Sequence, residues 1–165
     1  MSWGRALRHL MAAPWRVRRA FPRHTLEAIE AAIGASERRH RGEIRFAVEG
    51  ALEFLPVARG LTARDRALEL FSVLKVWDTE ENTGVLIYVQ LIERDIEVVA
   101  DRGISRLIAQ QDWDGICRRM EEAFRAGRYE AGVNAGIAEV SDLLARHFPS
   151  GAANLDELPD QPVVL

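Results

Sequence analysis

Cysteine is nearly missing: Cys117 is the only one in 165 residues. A lone thiol excludes an internal disulfide framework and a cysteine-based zinc site, so folding has to rest on buried apolar surface. A chain of this length can supply that from one domain. Long hydrophobic runs are missing too. No stretch approaches the roughly 18–20 apolar residues of a spanning helix, and the longest, Val85 to Ile92, is broken by Gln90 and is strand-length. The first 24 residues hold no uninterrupted apolar core of roughly 7–15 residues, which argues against a secretory signal. A soluble, cytoplasmic protein is expected. The four histidines (His9, His24, His40, His147) lack metal-ligand spacing and read as surface or cap residues. No nucleophile elbow, phosphate-binding glycine loop or dinucleotide fingerprint occurs, and Ser72 and Ser141 fall on helices with no base in sequence reach.

Charge is close to balanced, with 22 basic and 25 acidic residues and a net charge of −3, but it is unevenly placed. Arg5, Arg8, Arg16, Arg18, Arg19 and Arg23 all precede the first acid, Glu27. The body is acidic and carries no recognition motif, so nucleic acid is not an expected partner. Within 1–24, Trp3, Leu7, Leu10, Met11 and Trp15 fall near helical spacing between the arginines, although Pro14 and Pro22 prevent one long helix. Two readings of this leader stand side by side. One is a segment loosely packed on its own domain or disordered; the other docks Arg5, Arg8, Trp15, Arg16, Arg18 and Arg19 on an anionic membrane surface or a membrane-protein partner.

From residue 25 the periodicities resolve into elements. Leu26, Ile29, Ala32 and Ile33 predict a helix over 25–39, and Ile44, Phe46 and Val48 share one face of a strand over 43–49. Residues 51–60, with Pro56 and Gly60, read as a long loop. Thr62 and Asp65 form an imperfect capping box, aspartate replacing the longer glutamate, for a helix whose apolar stripe is Ala67, Leu70, Phe71, Leu74 and Trp77. The run from Val85 to Val89 is apolar without alternation, as a strand covered on both faces should be. A right-handed crossover joins it to the first strand, and a corner at Ile92-Glu93-Arg94 leads into an antiparallel strand over 95–100. Two helices follow, with stripes Trp113, Ile116, Cys117, Met120, Phe124 and Val133, Ile137, Val140, Leu144, Phe148. Gly132 and Gly136 suggest close backbone approach, and Cys117 reads as packing. The resulting division is a leader over 1–24, a mixed α/β domain over 25–149 and an acidic, flexible tail over 150–165.

This topology brings two acid-bearing loops to one end of the sheet. Asp78, Glu80, Glu81 and Asn82 precede the central strand and Asp101 follows its hairpin partner, so Asn82 and Asp101 should be neighbours. Carboxylates, an amide and free carbonyls are the oxygen donors that calcium or magnesium take. A merely solvated acidic turn is the alternative. Arg102, next to Asp101, could contact a phosphate, whereas parallel pairing would carry Glu49 to the far end.

The segments Asn82-Thr83-Gly84-Val85-Leu86-Ile87, Ile96 to Ile104, and Phe124-Arg125-Ala126-Gly127-Arg128-Tyr129 with Gly132 resemble the TPM domain family over about 25–148. The resemblance implies a three-layer α/β/α sandwich around a small mixed sheet. It also implies a divalent-cation site at Asp78, Glu81, Asn82 and Asp101, with Thr83 standing where relatives often carry another acid or asparagine. Plant members are described as acid phosphatases and bacterial ones as calcium-binding. The expectation for this chain is a non-catalytic module binding a divalent cation or a partner, peripheral to the cytoplasmic face of a membrane. The alternative is a cation-dependent phosphatase acting on phosphomonoesters.

Overall fold

The computed structural model describes residues 3–151 and 155–165. Four strands, β1 (Glu43–Glu49), β2 (Gly84–Gln90), β3 (Asp95–Ala100) and β4 (Val163–Val164), form one mixed sheet in the order β3-β2-β1-β4. β1 runs parallel to β2 and to β4, and β3 returns antiparallel to β2 with Val85 opposite Ala100. β1 and β2 are buried along their whole length, which is why the sequence of β2 shows no polar alternation.

Period-two alternation then sorts the side chains into two layers. Ile44, Phe46, Val48, Val85, Ile87, Val89, Ile96 and Val98 enter the larger core, covered by the helices α3 (Arg23–Glu37), α7 (Gln110–Arg125) and α8 (Tyr129–His147). Ala47, Leu86, Tyr88 and Val99 face the smaller core, closed by α5 (Ala63–Val73) and by Val76 and Leu158. Helices on both faces make the expected α/β/α sandwich. Thr62 caps α5 through the predicted reciprocal pair: the Asp65 N–H donates to Thr62 Oγ1 at 3.0 Å and the Thr62 N–H to Asp65 Oδ2 at 3.0 Å. Gly127 ends α7 at φ 74°, and Cys117 is buried, which pushes its thiol up to about 12.

Five expectations need correction. The leader is folded: α1 (Trp3–Leu10) buries Ala6 against the short helix α4 (Phe54–Ala58), and α2 (Trp15–Ala20) sends Val17 into the large core. Residues 51–60 therefore contain a helix, made stable by the partner α1 provides. The tail is no free acidic end, since residues 155–165 bury Leu158 and supply β4; their single apolar anchors leave no periodic signal. Trp77 does not extend the α5 stripe. The helix stops at Val73, Lys75 reverses the chain at φ 52°, and Val76 takes the buried place while Trp77 is 48 % exposed. Finally, His9 and His40 are buried: His9 Nδ1 accepts the Leu52 N–H at 3.1 Å and its other ring nitrogen meets Glu93.

Candidate cation site

The loops at the start of β2 and the end of β3 lie against each other, as the hairpin requires. The Asp101 N–H donates to the Gly84 carbonyl at 2.9 Å and the Gly103 N–H to the Asn82 carbonyl at 3.1 Å. The turn before β2 is tied internally by Thr79, whose carbonyl accepts from the Asn82 N–H (3.2 Å) and whose hydroxyl accepts from the Thr83 N–H (2.9 Å). Asn82 sits at φ 56°, in the left-handed region that asparagine tolerates better than most side chains. That reversal directs two successive carbonyls at the following loop. A Cβ on Gly103 would lie 2.5 Å from the Asn82 oxygen and 2.8 Å from the Glu81 oxygen, so only glycine fits there.

Asp101 is 8 % exposed and caps the short helix α6 (Arg102–Ser105), Oδ1 accepting the Arg102 N–H at 2.7 Å. Its second oxygen, Oδ2, is buried and makes no hydrogen bond among the described residues. A buried carboxylate oxygen without a donor carries a desolvation penalty that a bound cation or donor would remove. Asn82 and Asp101 are thus brought together, with the Glu81 carbonyl beside them. The side chains of Glu81 and Asp78 are not brought into a carboxylate cluster. Glu81 forms an ion pair with Arg41, and Asp78 is exposed, its N–H closing a turn on Lys75. The reason is local: Arg41, at the entry to β1, lies over the same turn and neutralises the nearer acid. Thr83 is fully buried and its hydroxyl donates to the Arg41 carbonyl at 3.0 Å, a structural role. The oxygen donors present fit one hard cation held by a single carboxylate and backbone carbonyls, which is a weak donor set. Arg102 is exposed and has no carboxylate within ion-pair distance among the described residues. Glu49 lies at the far end, as expected, where it accepts the Tyr88 hydroxyl at 2.8 Å and Arg66 through both oxygens at 2.9 Å.

Among the described residues, the one set of three acids whose oxygens approach within 4.8 Å is elsewhere: Glu37, Asp156 and Asp160. No sequence signal joins α3 to the tail, so this cluster is invisible before folding. Burial raises Glu37 to about 9, which leaves it protonated at neutral pH beside its hydrogen-bond partner Asp160. The proton kept on Glu37 and its hydrogen bond to Asp160 account for those two carboxyls lying together. Nearby Glu43 is raised to about 7, again by burial, although its Oε2 accepts the Glu157 and Leu158 N–H groups at 3.2 and 3.0 Å.

These groups fix a pH profile. Below 4.5 both carboxyls are protonated in either state; as pH rises above that, the unfolded chain releases its protons while the folded chain keeps them to about 7 and about 9. Stability is therefore present at low pH and is lost as pH rises through those values. His40 acts oppositely: burial lowers it to about 4, so its contribution is complete above 6.5 and is lost as pH falls toward 4. Above pH 4.5 the two carboxyls outweigh the one imidazole, so chemical denaturation should show stability falling from about pH 5 to pH 9, by on the order of a few kcal/mol. A plateau from pH 6 to 9 would contradict the burial of Glu37 and Glu43.

Residues 19–143 match the TPM domain. The BA42 protein of the psychrophilic bacterium Bizionia argentinensis is similar in structure at a TM-score of 0.76 with 30 % sequence identity, over 86 % of this chain and 92 % of that one. The N-terminal domain of a P. gingivalis protein shares the fold at a TM-score of 0.63 and 16 % identity, over 88 % and 97 % of the two chains. No curated protein sequence matches significantly. With the family match covering most of the chain and the sandwich and its paired loops in place, the protein belongs to the TPM domain family.

Proposed function

We propose that this TPM domain is a non-catalytic binding module that takes one divalent cation, calcium or magnesium, at the Asn82–Asp101 loop pair. The observation that carries this reading is Asp101 Oδ2, buried without a donor among the described residues, on a loop whose Gly103 packs against the carbonyls of Glu81 and Asn82. Asp101 would supply the charge, the two carbonyls neutral oxygen, and Gly103 the close approach. A bound cation adds electrostatic cross-linking of the two loops. With one carboxylate in the set, the affinity belongs to the weak range of calcium sites, a Kd on the order of 10⁻⁴–10⁻³ M.

The test is an amide-shift titration with calcium and with magnesium, run beside turnover of a generic phosphomonoester. Shifts should concentrate at 81–83 and 101–104. Asp101→Asn keeps the helix cap and should weaken binding at least about tenfold, the scale on which losing a charged ligand acts. Absence of saturable shifts in the wild type would end the cation reading. Metal-dependent turnover lost in Asp101→Asn would establish the phosphatase alternative instead, with Arg102 as the phosphate contact.

A further inference from the structure

At the opposite end of the sheet a cleft of about 1100 Å³ opens between α2, the β2–β3 hairpin and the α7–α8 corner. Its rim carries Arg8, Arg16 and Arg19 from the leader, Arg94 from the hairpin and Arg128 from the corner. None of these five has a carboxylate within ion-pair distance among the described residues; arginines elsewhere, such as Arg18 and Arg102, also lack one, but these five converge on one concavity. The two acids that line the cleft are already engaged. Glu93 is held by Arg5 and His9, and Glu130 accepts the Thr25 hydroxyl at 2.6 Å. In a protein of net charge −3, five unneutralised guanidiniums around one concavity make a local positive field that favours phosphate.

Trp15 lines this cleft, and the segment that brings Arg8 to it exposes further apolar side chains. Trp3, Leu10, Met11 and Trp15 are 59, 65, 74 and 54 % exposed, and with Leu7 they are five of the thirteen large hydrophobic side chains that the described residues leave exposed. Their helices are anchored from beneath by Ala6, His9 and Val17, so the residues are held outward. A soluble phosphate ligand would account for the arginines but leave the exposed apolar side chains of the same segment in water. A bilayer surface accounts for both: aromatic and aliphatic side chains enter the headgroup region while arginines meet lipid phosphates.

We propose that this end of the domain docks on an anionic phospholipid surface, with lipid phosphates seated in the cleft by Arg8, Arg16, Arg19, Arg94 and Arg128. The difference from docking by a basic leader is that Arg94 and Arg128 belong to the folded body and are as necessary as the leader arginines. No helix is long and apolar enough to cross a membrane among the described residues, so the contact is interfacial.

The experiment is co-sedimentation of the full chain with vesicles of phosphatidylcholine containing 30 % phosphatidylglycerol, and with pure phosphatidylcholine. Arg94→Gln and Arg128→Gln, both at exposed or half-exposed positions without ion pairs, should each weaken binding about fivefold, and together roughly 25-fold, the scale for a basic residue at such a surface. Trp15→Ala combined with Met11→Ser should weaken it as well, and circular dichroism confirms that each variant is folded. Equal binding to the neutral vesicles, or no change in the Arg94 and Arg128 variants, overturns the proposal. So does saturable binding of inorganic pyrophosphate to the same residues without any vesicle binding, which would make the occupant a soluble phosphate.

Discussion

Leu158→Ala should lower stability by about 2–3 kcal/mol, and the melting temperature by about 5–10 °C for a domain of this size. Leu158 lies in a segment whose composition promises nothing, yet it is 7 % exposed and packs with Ala47, Leu70, Leu86 and Tyr88. Around it the tail is fastened by polar contacts that the body supplies. Glu43 receives the Glu157 and Leu158 N–H groups, and the Arg45 guanidinium donates to the Pro159 and Gln161 carbonyls. Leu158 is therefore the apolar pin of a strap that closes the second face of the sheet. Leu155→Ala, three residues away at an exposed side chain, is the control and should change stability by less than about 0.5 kcal/mol. A tail without fixed structure would make the two variants indistinguishable in urea denaturation, and that outcome would remove β4 and the strap together.

The contrast between strap and sheet explains what was readable before folding. β1, β2 and β3 announce themselves because each buries several apolar side chains at a fixed period, and the hairpin follows from their adjacency. Asn82 and Asp101 follow in turn, since an antiparallel pair joined by a corner must return its outer ends to one place. The tail and leader gave weaker signals. The tail attaches through Leu158 and the leader through Ala6, Val17 and Phe21, spaced without a regular period, plus bonds to distant partners such as Arg5 to Glu93 or Glu43 to Leu158, and partnership across 88 or 115 positions leaves no trace in local pattern. The same limit separates the acids of the candidate site. The run of acids at 78–81 is visible in the sequence, but Arg41 engages Glu81 from forty residues upstream, and the buried carboxylate oxygen without a donor is that of Asp101. Trp77 illustrates the remaining error, in which helical spacing was continued past a left-handed turn at Lys75 that only the folded backbone reveals.

Gly84→Ala is expected to be the most damaging single methyl addition in the domain, costing about 3 kcal/mol or more, the upper end for forced overpacking. The added Cβ would lie 1.9 Å from the Val76 carbonyl oxygen and 2.9 Å from its carbon. Neither side can yield cheaply. Val76 is fully buried in the smaller core, and the backbone at Gly84 is held by the Asp101 N–H, while the Thr83 carbonyl beside it accepts from Glu43 at 3.1 Å. Moving the strand start to relieve the clash would also move Asn82 and its carbonyl away from Gly103, so residual cation binding should weaken in whatever fraction remains folded. Gly136→Ala separates backbone from side-chain crowding. There the nearest atoms are the Met120 sulfur at 2.4 Å and its Cγ at 2.9 Å, a side chain that must re-pack within the core since Met120 is fully buried, while alanine regains up to about 1 kcal/mol of helix propensity. The two substitutions add the same methyl in equally buried places, yet Gly136→Ala, which meets a side chain rather than backbone, should cost less, about 1–2 kcal/mol. Urea denaturation of both decides the matter: equal, small losses would mean that β2 does not pass as close to the Val76 carbonyl as the sandwich requires.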